Sequence, residues 1–507
     1  MHLGRITAVI FIALFLVYYS TLLWTNLCDV AGGADSSGYL NFAWRLRHGN
    51  LQEPVKALDA LGLGEDFSPF FRPIGFSWGV NSRIMVPAYP VGLPLHMVFF
   101  AEIFGWDIGP YLVSPIAALI GLFLMYCLAR QFRLSRSFSL VGAAILAAFP
   151  VYLFTAVQPM SDILASVWGV AAILAGLLSR KRSAWAIVAG AAFGMGFLVR
   201  PANVLILLAL MLALPFKPKI YAKFVLGGAL FGVFQAILNH SLYGSMLTTG
   251  YRGELISQLG AKDLWPRFLF YGRWLIKMLT PLVPLAWLLA MLDRKVVGKD
   301  RLLLFFWFFP FLIFYCFYQP YNSWTLLRYL LPALPALIVS ALLVLRECMD
   351  YFRQKFQASR KTLQKPRQLS KKILAALPTV IAALLFFLVI STEIIQVRKL
   401  KLLDVNEFEA VYKRSCLSIK KTLPEKSVIL SLQMSGALAY YTNFLPCLWD
   451  QGQSQQFSLI FEKASERGYS IYALLFPSEE NEFQKYAPGA WKKIENFEFV
   501  SLWRLTP

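Results

Sequence analysis

The chain has 507 residues, 58% of them hydrophobic and only 15% charged, with a mean hydropathy of +0.56. A soluble domain carries about 25% charged residues, so composition excludes a water-soluble enzyme and a disordered chain. The net charge of +21 does not point to nucleic acid, because most basic residues sit in short loops between apolar runs, where membrane topology accounts for them.

Runs of roughly 20 apolar residues, the length that crosses a bilayer core, recur from end to end. They are continuous rather than alternating, which predicts helices and not barrel strands. The first, "ITAVIFIALFLVYYSTLLW", follows Arg5 closely. It is longer than a signal-peptide core and has no small-residue cleavage site after it, so it is expected to be an uncleaved span. Next comes "GGADSSGYLNFAWRLRHGN", residues 32–50, which predicts a short helix headed by Asp35, with Tyr39 and Ala43 on one face and Gly49 at its end. Arg83 and Tyr89 follow in "NSRIMVPAYPVGLP".

The stretch "PVGLPLHMVFFAEIFGW" (90–106) breaks the alternation of charge. Counting it as a span would put Arg130, Arg133 and Arg136 outside, so it is expected to lie at the outer interface. The first outer loop then covers residues 28–108, far longer than a simple connection and too aromatic for disorder. The basic clusters at 130–136 and 180–182, "KPKIYAK", "DRKVVGKDR" and the stretch 351–372 are expected in the cytoplasm. They alternate correctly if 6–27, 109–129, 138–157, 162–179, 184–199, 202–216, 221–241, 271–292, 302–319, 326–346 and 373–396 each cross once. That gives about eleven spans, the N-terminus inside and the C-terminus outside.

After the last span, "NEFEAVYKRSCLSIKKTL" predicts an amphipathic helix. "SVILSL", "FLPCLW", "IYALLF" and "FVSLWRL" read as strands, separated by helix-like "SGALAYYTN", "FSLIFEKASERGY" and "NEFQKYAPGAWKKI". The expectation is a membrane domain over 1–400, with a basic cytoplasmic loop at 347–372, and a small exocytoplasmic α/β domain over 401–507. No glycine-rich phosphate loop opens its helices, so no nucleotide is expected. The six cysteines have no metal-ligand spacing. Cys416 and Cys447 could pair if exported, but spacing does not decide it.

Charges are costly near hydrocarbon, so charged residues at outer span ends are functional candidates. Asp35, Asp162 ("QPMSDILA"), Arg200 ("FLVRPAN"), Arg328 ("SWTLLRYLLPALP"), Arg83 and Tyr89 all fall on one side of the membrane under this topology. Each has a plainer alternative. Asp35 and Asp162 stand where helix N-caps are expected; Arg200 and Arg328 can snorkel to the interface; Tyr89 and the tryptophans can belong to an aromatic belt. The basic stretch 351–372 suits a topology and lipid-surface element.

A long first outer loop with an acid just after span one, a "YPVGLPL" element and an acid opening a later span resemble the GT-C superfamily of membrane glycosyltransferases. The similarity is greatest to its protein O-mannosyltransferase and aminoarabinose-transferase-like branch. "NHSLYGSMLTTGY" (239–251), "RYLLPALPALIVSALL" (328–343) and "LPEKSVILSLQMSGALAYYTN" (423–443) look like recurrent phrases of bacterial members. Two features depart: the acidic pair of many relatives is here Asp35 followed by Ser36, and the doubled proline is absent.

The resemblance implies transfer of a sugar from a polyprenyl-phosphate-linked donor to a glycan, lipid or protein acceptor at the outer face of a bacterial inner membrane. Asp35 would be the general base and Asp162 would orient the acceptor or the base. Arg200 and Arg328, with Arg83, would hold the lipid phosphate, and Tyr89 and Tyr39 would line the pocket. Direct displacement would invert the anomeric centre. No cofactor is required; a divalent metal is compatible, as some members use one, but no ligand cluster demands it. The rivals are a transporter or flippase of lipid-linked sugars, and a non-catalytic glycan-binding membrane protein. No internal repeat or pair of broken spans favours the transporter.

Overall fold

The apolar runs fold as helices because no other open-chain structure satisfies every backbone group away from water. The computed structural model describes residues 2–251, 259–292, 300–318, 323–362 and 368–506. The basic stretches 293–299 and 363–367, expected in the cytoplasm, lie outside the described residues. Helix α1 (His2–Thr25) leads into the outer loop. There α2 (Ala34–His48), strand β1 (Glu53–Pro54), α3 (Lys56–Leu61), β2 (Phe76–Trp78), β3 (Ile84–Pro87) and α4 (Gly92–Phe104) follow one another. Next come α5 (Gly109–Gln131), α6 (Arg136–Ala148), α7 (Pro150–Ala156), α8 (Ser161–Leu178), α9 (Trp185–Val199), α10 (Leu207–Ala213) and α11 (Pro218–Tyr243). The set continues with α12 (Leu264–Leu279), α13 (Leu282–Leu292), α14 (Arg301–Phe317), α15 (Leu334–Thr362) and α16 (Gln368–Lys399).

Among the described residues, five helices are long and apolar enough to cross a membrane unbroken, and seven if each of two bent pairs counts as one span. The other expected spans fall on shorter apolar helices. The breaks have local causes. Pro150 opens α7 and turns it 65° from α6, while Thr280, at φ 60°, precedes Pro281 and turns α13 by 113° from α12. The helix ends nevertheless gather on two faces. Arg180, beyond α8, meets Asp300 at the start of α14 and the carbonyls of Leu212 and Ala213 at the end of α10. At the other end of α8, Asp162 meets Arg200 and Arg328.

Within the segment 90–106, Gly92–Phe104 forms α4, which packs against α5, α2 and α9. The loop before it carries a three-stranded antiparallel sheet of order β1-β3-β2, which the sequence reading did not anticipate.

After α17 (Val405–Thr422) come β4 (Ser427–Leu430), α18 (Ser435–Tyr441), β5 (Leu445–Cys447), α19 (Ser454–Glu466) and β6 (Ser470–Leu475). The chain then adds α20 (Pro477–Tyr486), β7 (Ala490–Phe497) and β8 (Val500–Thr506). The strands form one sheet of order β5-β4-β6-β8-β7, parallel across β5-β4-β6 and antiparallel across β6-β8-β7. "AWKKI" was expected to continue a helix and is instead β7. Pro488 has no N–H to extend α20, and the residues after it pair with β8.

Alternation along the strands sends Val428, Leu430 and Cys447 to one face and Ile429, Tyr472 and Leu474 to the other. The first face shares a single core with Leu58, Leu61, Phe70 and Phe76 of the outer loop, so loop and sheet are built as one body. The second face packs on α17, including Cys416. Cys416 and Cys447 are therefore buried free thiols on opposite faces of the sheet.

Candidate active site

Helix α2 runs from Ala34 to His48 and ends at Gly49, whose φ of 72° is the left-handed conformation of a helix C-terminus. Asp35 is not its N-cap: that position is Gly33, with no side-chain capping bond. The Asp35 carboxylate faces the helix ends instead. One oxygen accepts from the Tyr89 hydroxyl at 2.9 Å, and the other lies 2.7 Å from Arg328 Nη2. Gly38 makes this approach feasible, because a Cβ there would lie 2.2 Å from Tyr89 Cε2.

Asp162 is not a cap either. Met160 holds that position, again without a side-chain bond, and Asp162 sits in the first turn of α8. A carboxylate is favoured there by the helix dipole. It is 2% exposed and pairs with Arg200, with Arg328 Nη1 at 4.0 Å. Arg200 reaches it because Pro201 forces the preceding residue out of the helix: Arg200 is extended, at φ −152° and ψ 111°. Arg328 lies in the 3-10 turn Trp324–Ala333 that leads into α15.

The two acids and two arginines thus alternate in one cluster, Asp35–Arg328–Asp162–Arg200. Tyr329 lies beneath both guanidinium groups, 5.0 Å from Arg200 and 5.3 Å from Arg328, and stacks on Tyr315. Tyr39 packs against Tyr89 with ring centroids 4.7 Å apart and donates to Ser161 Oγ at 2.9 Å. Tyr251 closes the aromatic wall at 6.3 Å from Tyr89. The Nε of Arg328 is buried without a hydrogen-bond partner among the described residues, a spare donor inside a charged site.

Burial alone would raise the Asp35 pKa, but Arg328, Tyr89 and Arg200 outweigh it and hold the carboxyl below its usual value. Burial and the Asp35 charge push the Tyr89 and Tyr39 phenols well above theirs, so both remain proton donors. Glu409 of α17, which the sequence reading did not single out, lies against Gly32, where an added Cβ would displace its carboxylate. Burial, and then Asp35, raise it to about 7.

Six of the sequence candidates therefore converge: Asp35, Asp162, Arg200, Arg328, Tyr39 and Tyr89. Arg83 does not join them; it pairs with Asp59 at 2.6 Å and Glu65 at 4.0 Å on the surface of the outer loop. Tyr251, Tyr315 and Tyr329 were missed. Tyr329 carried a signal as the neighbour of Arg328 in "RY", and Tyr251 as the last residue of "NHSLYGSMLTTGY". No three His, Cys, Asp or Glu side chains gather to hold a metal among the described residues. Both acids of the site are already paired with guanidinium, a poor donor set for a second cation.

Helical bundle, long first loop and charged cluster at the helix ends are the features of a polytopic helical membrane protein. The comparisons agree with that class. Residues 89–242 match the family described as dolichyl-phosphate-mannose-protein mannosyltransferase. The chain is similar to ArnT from Cupriavidus metallidurans bound to undecaprenyl phosphate, at 13% identity and a TM-score of 0.59, covering 97% of each chain. It is also similar to the Archaeoglobus fulgidus oligosaccharyltransferase. The apo form gives 12% identity and a TM-score of 0.52 over 92% of this chain and 69% of that one. The complex with Zn and sulfate gives 13% identity and 0.56 over 93% and 69%. No curated protein sequence matches the chain. The GT-C resemblance read from the sequence is borne out in the fold and in the family match.

Proposed function

We propose that this protein is an inverting membrane glycosyltransferase. It moves a sugar from a polyprenyl-phosphate-linked donor to an acceptor at the outer face of a bacterial inner membrane. The observation that carries the reading is the cluster itself: two arginines and two aspartates at one end of the helices, with a guanidinium donor left over. The similarity to a structure bound to undecaprenyl phosphate supports a lipid-phosphate donor. Under this reading the N-terminus is cytoplasmic, and residues 28–108 and 401–507 are exocytoplasmic.

Arg200 and Arg328 take the donor phosphate, a role suited to the planar fork of arginine donors. The acceptor hydroxyl or amine attacks the anomeric carbon. The bond from that carbon to the phosphate oxygen breaks, its electron pair leaves on the phosphate, and the arginines stabilise that charge. The acceptor proton passes to Asp35. A carboxylate bonded to Arg328 and Tyr89 is a weak base at rest. Phosphate competing for Arg328 loosens that pair and raises the basicity of Asp35, so donor binding prepares the base. Asp162 keeps Arg200 and Arg328 in register, and Tyr39 and Tyr89 border the reacting centre.

The test is transfer from a radiolabelled polyprenyl-phosphate sugar by purified protein in nanodiscs. Asn keeps the shape of Asp35 but accepts no proton near neutral pH, so Asp35→Asn should fold normally and lose roughly 10²–10⁴-fold in rate. Full activity in that variant would end the base assignment. Lipid flipping without any transfer would replace the enzyme with a transporter.

A further inference from the structure

A cavity of about 840 Å³ lies along the same helix α2 and is lined by none of the clustered residues Asp35, Asp162, Arg200, Arg328, Tyr39 and Tyr89. Its floor is the C-terminal half of α2, from Asn41 to His48. Its walls are two edge strands, β1 of the loop sheet and β5 of the C-terminal sheet, together with the turn after α18. Arg45 lies about 15 Å along α2 from Asp35, at 1.5 Å per residue. One rigid helix therefore presents the carboxylate at one end and the cleft at the other.

The lining decides what the cleft can hold. The side chains of Asn50, Asn443 and His48 offer amide and imidazole groups, while Gln52 donates to the Ser241 carbonyl at 2.7 Å, and Trp44 is 42% exposed beside them. Arg45 pairs with Glu53 and lies over the Phe76 ring at 4.5 Å, yet its Nε is buried with no partner among the described residues. His48 uses Nδ1 on the Trp44 carbonyl at 2.7 Å, which leaves the far nitrogen of the ring. Indole and flat polar groups around one cavity suit a ligand with both C–H faces and many hydroxyls.

An extended peptide is disfavoured, although edge strands ordinarily invite one. Pro54 stands in β1 and Pro446 in β5, and neither offers an N–H to a new strand. The lining is mixed, and a lipid tail is disfavoured because Arg45, Glu53, Lys56 and the amides interrupt its apolar residues Phe71, Met85, Phe444 and Leu445. We propose that this cleft is a saccharide-binding subsite, which holds a stretch of an acceptor glycan while its terminal group reaches Asp35. The proposal rests on the glycosyltransferase reading, and it narrows the acceptor to a glycan or glycolipid.

The experiment uses the full-length protein in nanodiscs on an array of tethered hexose, N-acetylhexosamine and uronic-acid oligosaccharides. Wild-type protein should retain at least one class. Trp44→Ala should weaken retention at least tenfold, and Asn443→Trp, which fills the cleft without removing the packing of Trp44 on Trp106, should do the same. Melting temperatures close to wild type establish that both variants fold. Retention of no class, or equal retention by both variants, overturns the subsite. Transfer assays on the same samples separate the two readings. Saccharide retention without sugar transfer defeats the glycosyltransferase reading, whereas transfer with an unchanged acceptor KM in both variants defeats the cleft alone.

Discussion

Helix α8 ends in an arginine–aspartate arrangement on each face of the bundle, and the two are built differently. On the face expected in the cytoplasm, Arg180 donates to Asp300 at 3.0 Å, to the Ala213 carbonyl at 2.8 Å and to the Leu212 carbonyl at 3.0 Å. Every nitrogen of that guanidinium is used, and its partners are helix ends. On the opposite face, Arg328 touches two carboxylates and leaves Nε unpaired among the described residues, while Asp35 belongs to a helix of the first loop, which packs on the spans through Tyr39, Leu40 and Ala43. A saturated arginine ties a structure together. An arginine with a spare donor in a buried site is arranged for something that arrives.

Breaking the outer arrangement should cost most. Asp162→Ala leaves Arg200 and Arg328 short of a buried counter-charge, a change that typically costs about 3–5 kcal/mol. Thermal unfolding in nanodiscs should show that loss together with loss of transfer. A variant as stable as wild type would mean that the arginines do not depend on Asp162. Arg180→Ala sharpens the contrast from the other side. It removes hydrogen bonds at a partly exposed site, worth about 1–3 kcal/mol, and should lower the melting temperature while kcat/KM stays unchanged. A large fall in kcat/KM at constant stability would erase the distinction between the faces.

The smallest effect concerns Glu409, whose pKa is raised from 4.5 to about 7. Across that window the folded protein holds a proton that the unfolded chain has released, so stability falls as pH rises from 4.5 to about 7 and levels off above it. Glu409→Gln should flatten this slope and melt a few degrees higher at pH 8. An identical slope in the variant would show that Glu409 is not the titrating group.

Much of the outer site was legible because a charge at the end of an apolar run is expensive and demands a reason. That rule found Asp35, Asp162, Arg200 and Arg328, and a count of basic loops put them on one face. The same rule misplaced Arg83, since in a long polar loop a charge is cheap and its partners, Asp59 and Glu65, follow from loop folding alone. A cap stayed open as the plainer alternative for Asp35 and Asp162 because sequence shows position but not what a side chain faces. Tyr315 and Glu409 reach the site from other elements through tertiary packing, which no local pattern encodes. The sheet of the outer loop was missed because its strands have two to four residues and share their core with a sheet more than 300 positions later.

The most direct measurement is the affinity of polyprenyl phosphate, the lipid left after transfer, for wild-type protein and for Arg328→Ala, Arg200→Ala and the corresponding lysine variants. If the outer arginines receive the phosphate, each alanine should weaken binding at least tenfold, about 1.4 kcal/mol. Lysine should restore only part of it, because an ammonium cannot bind two oxygens in a planar fork. Unchanged affinity in both alanine variants would reduce the pair to anchors at the membrane interface and contradict the account.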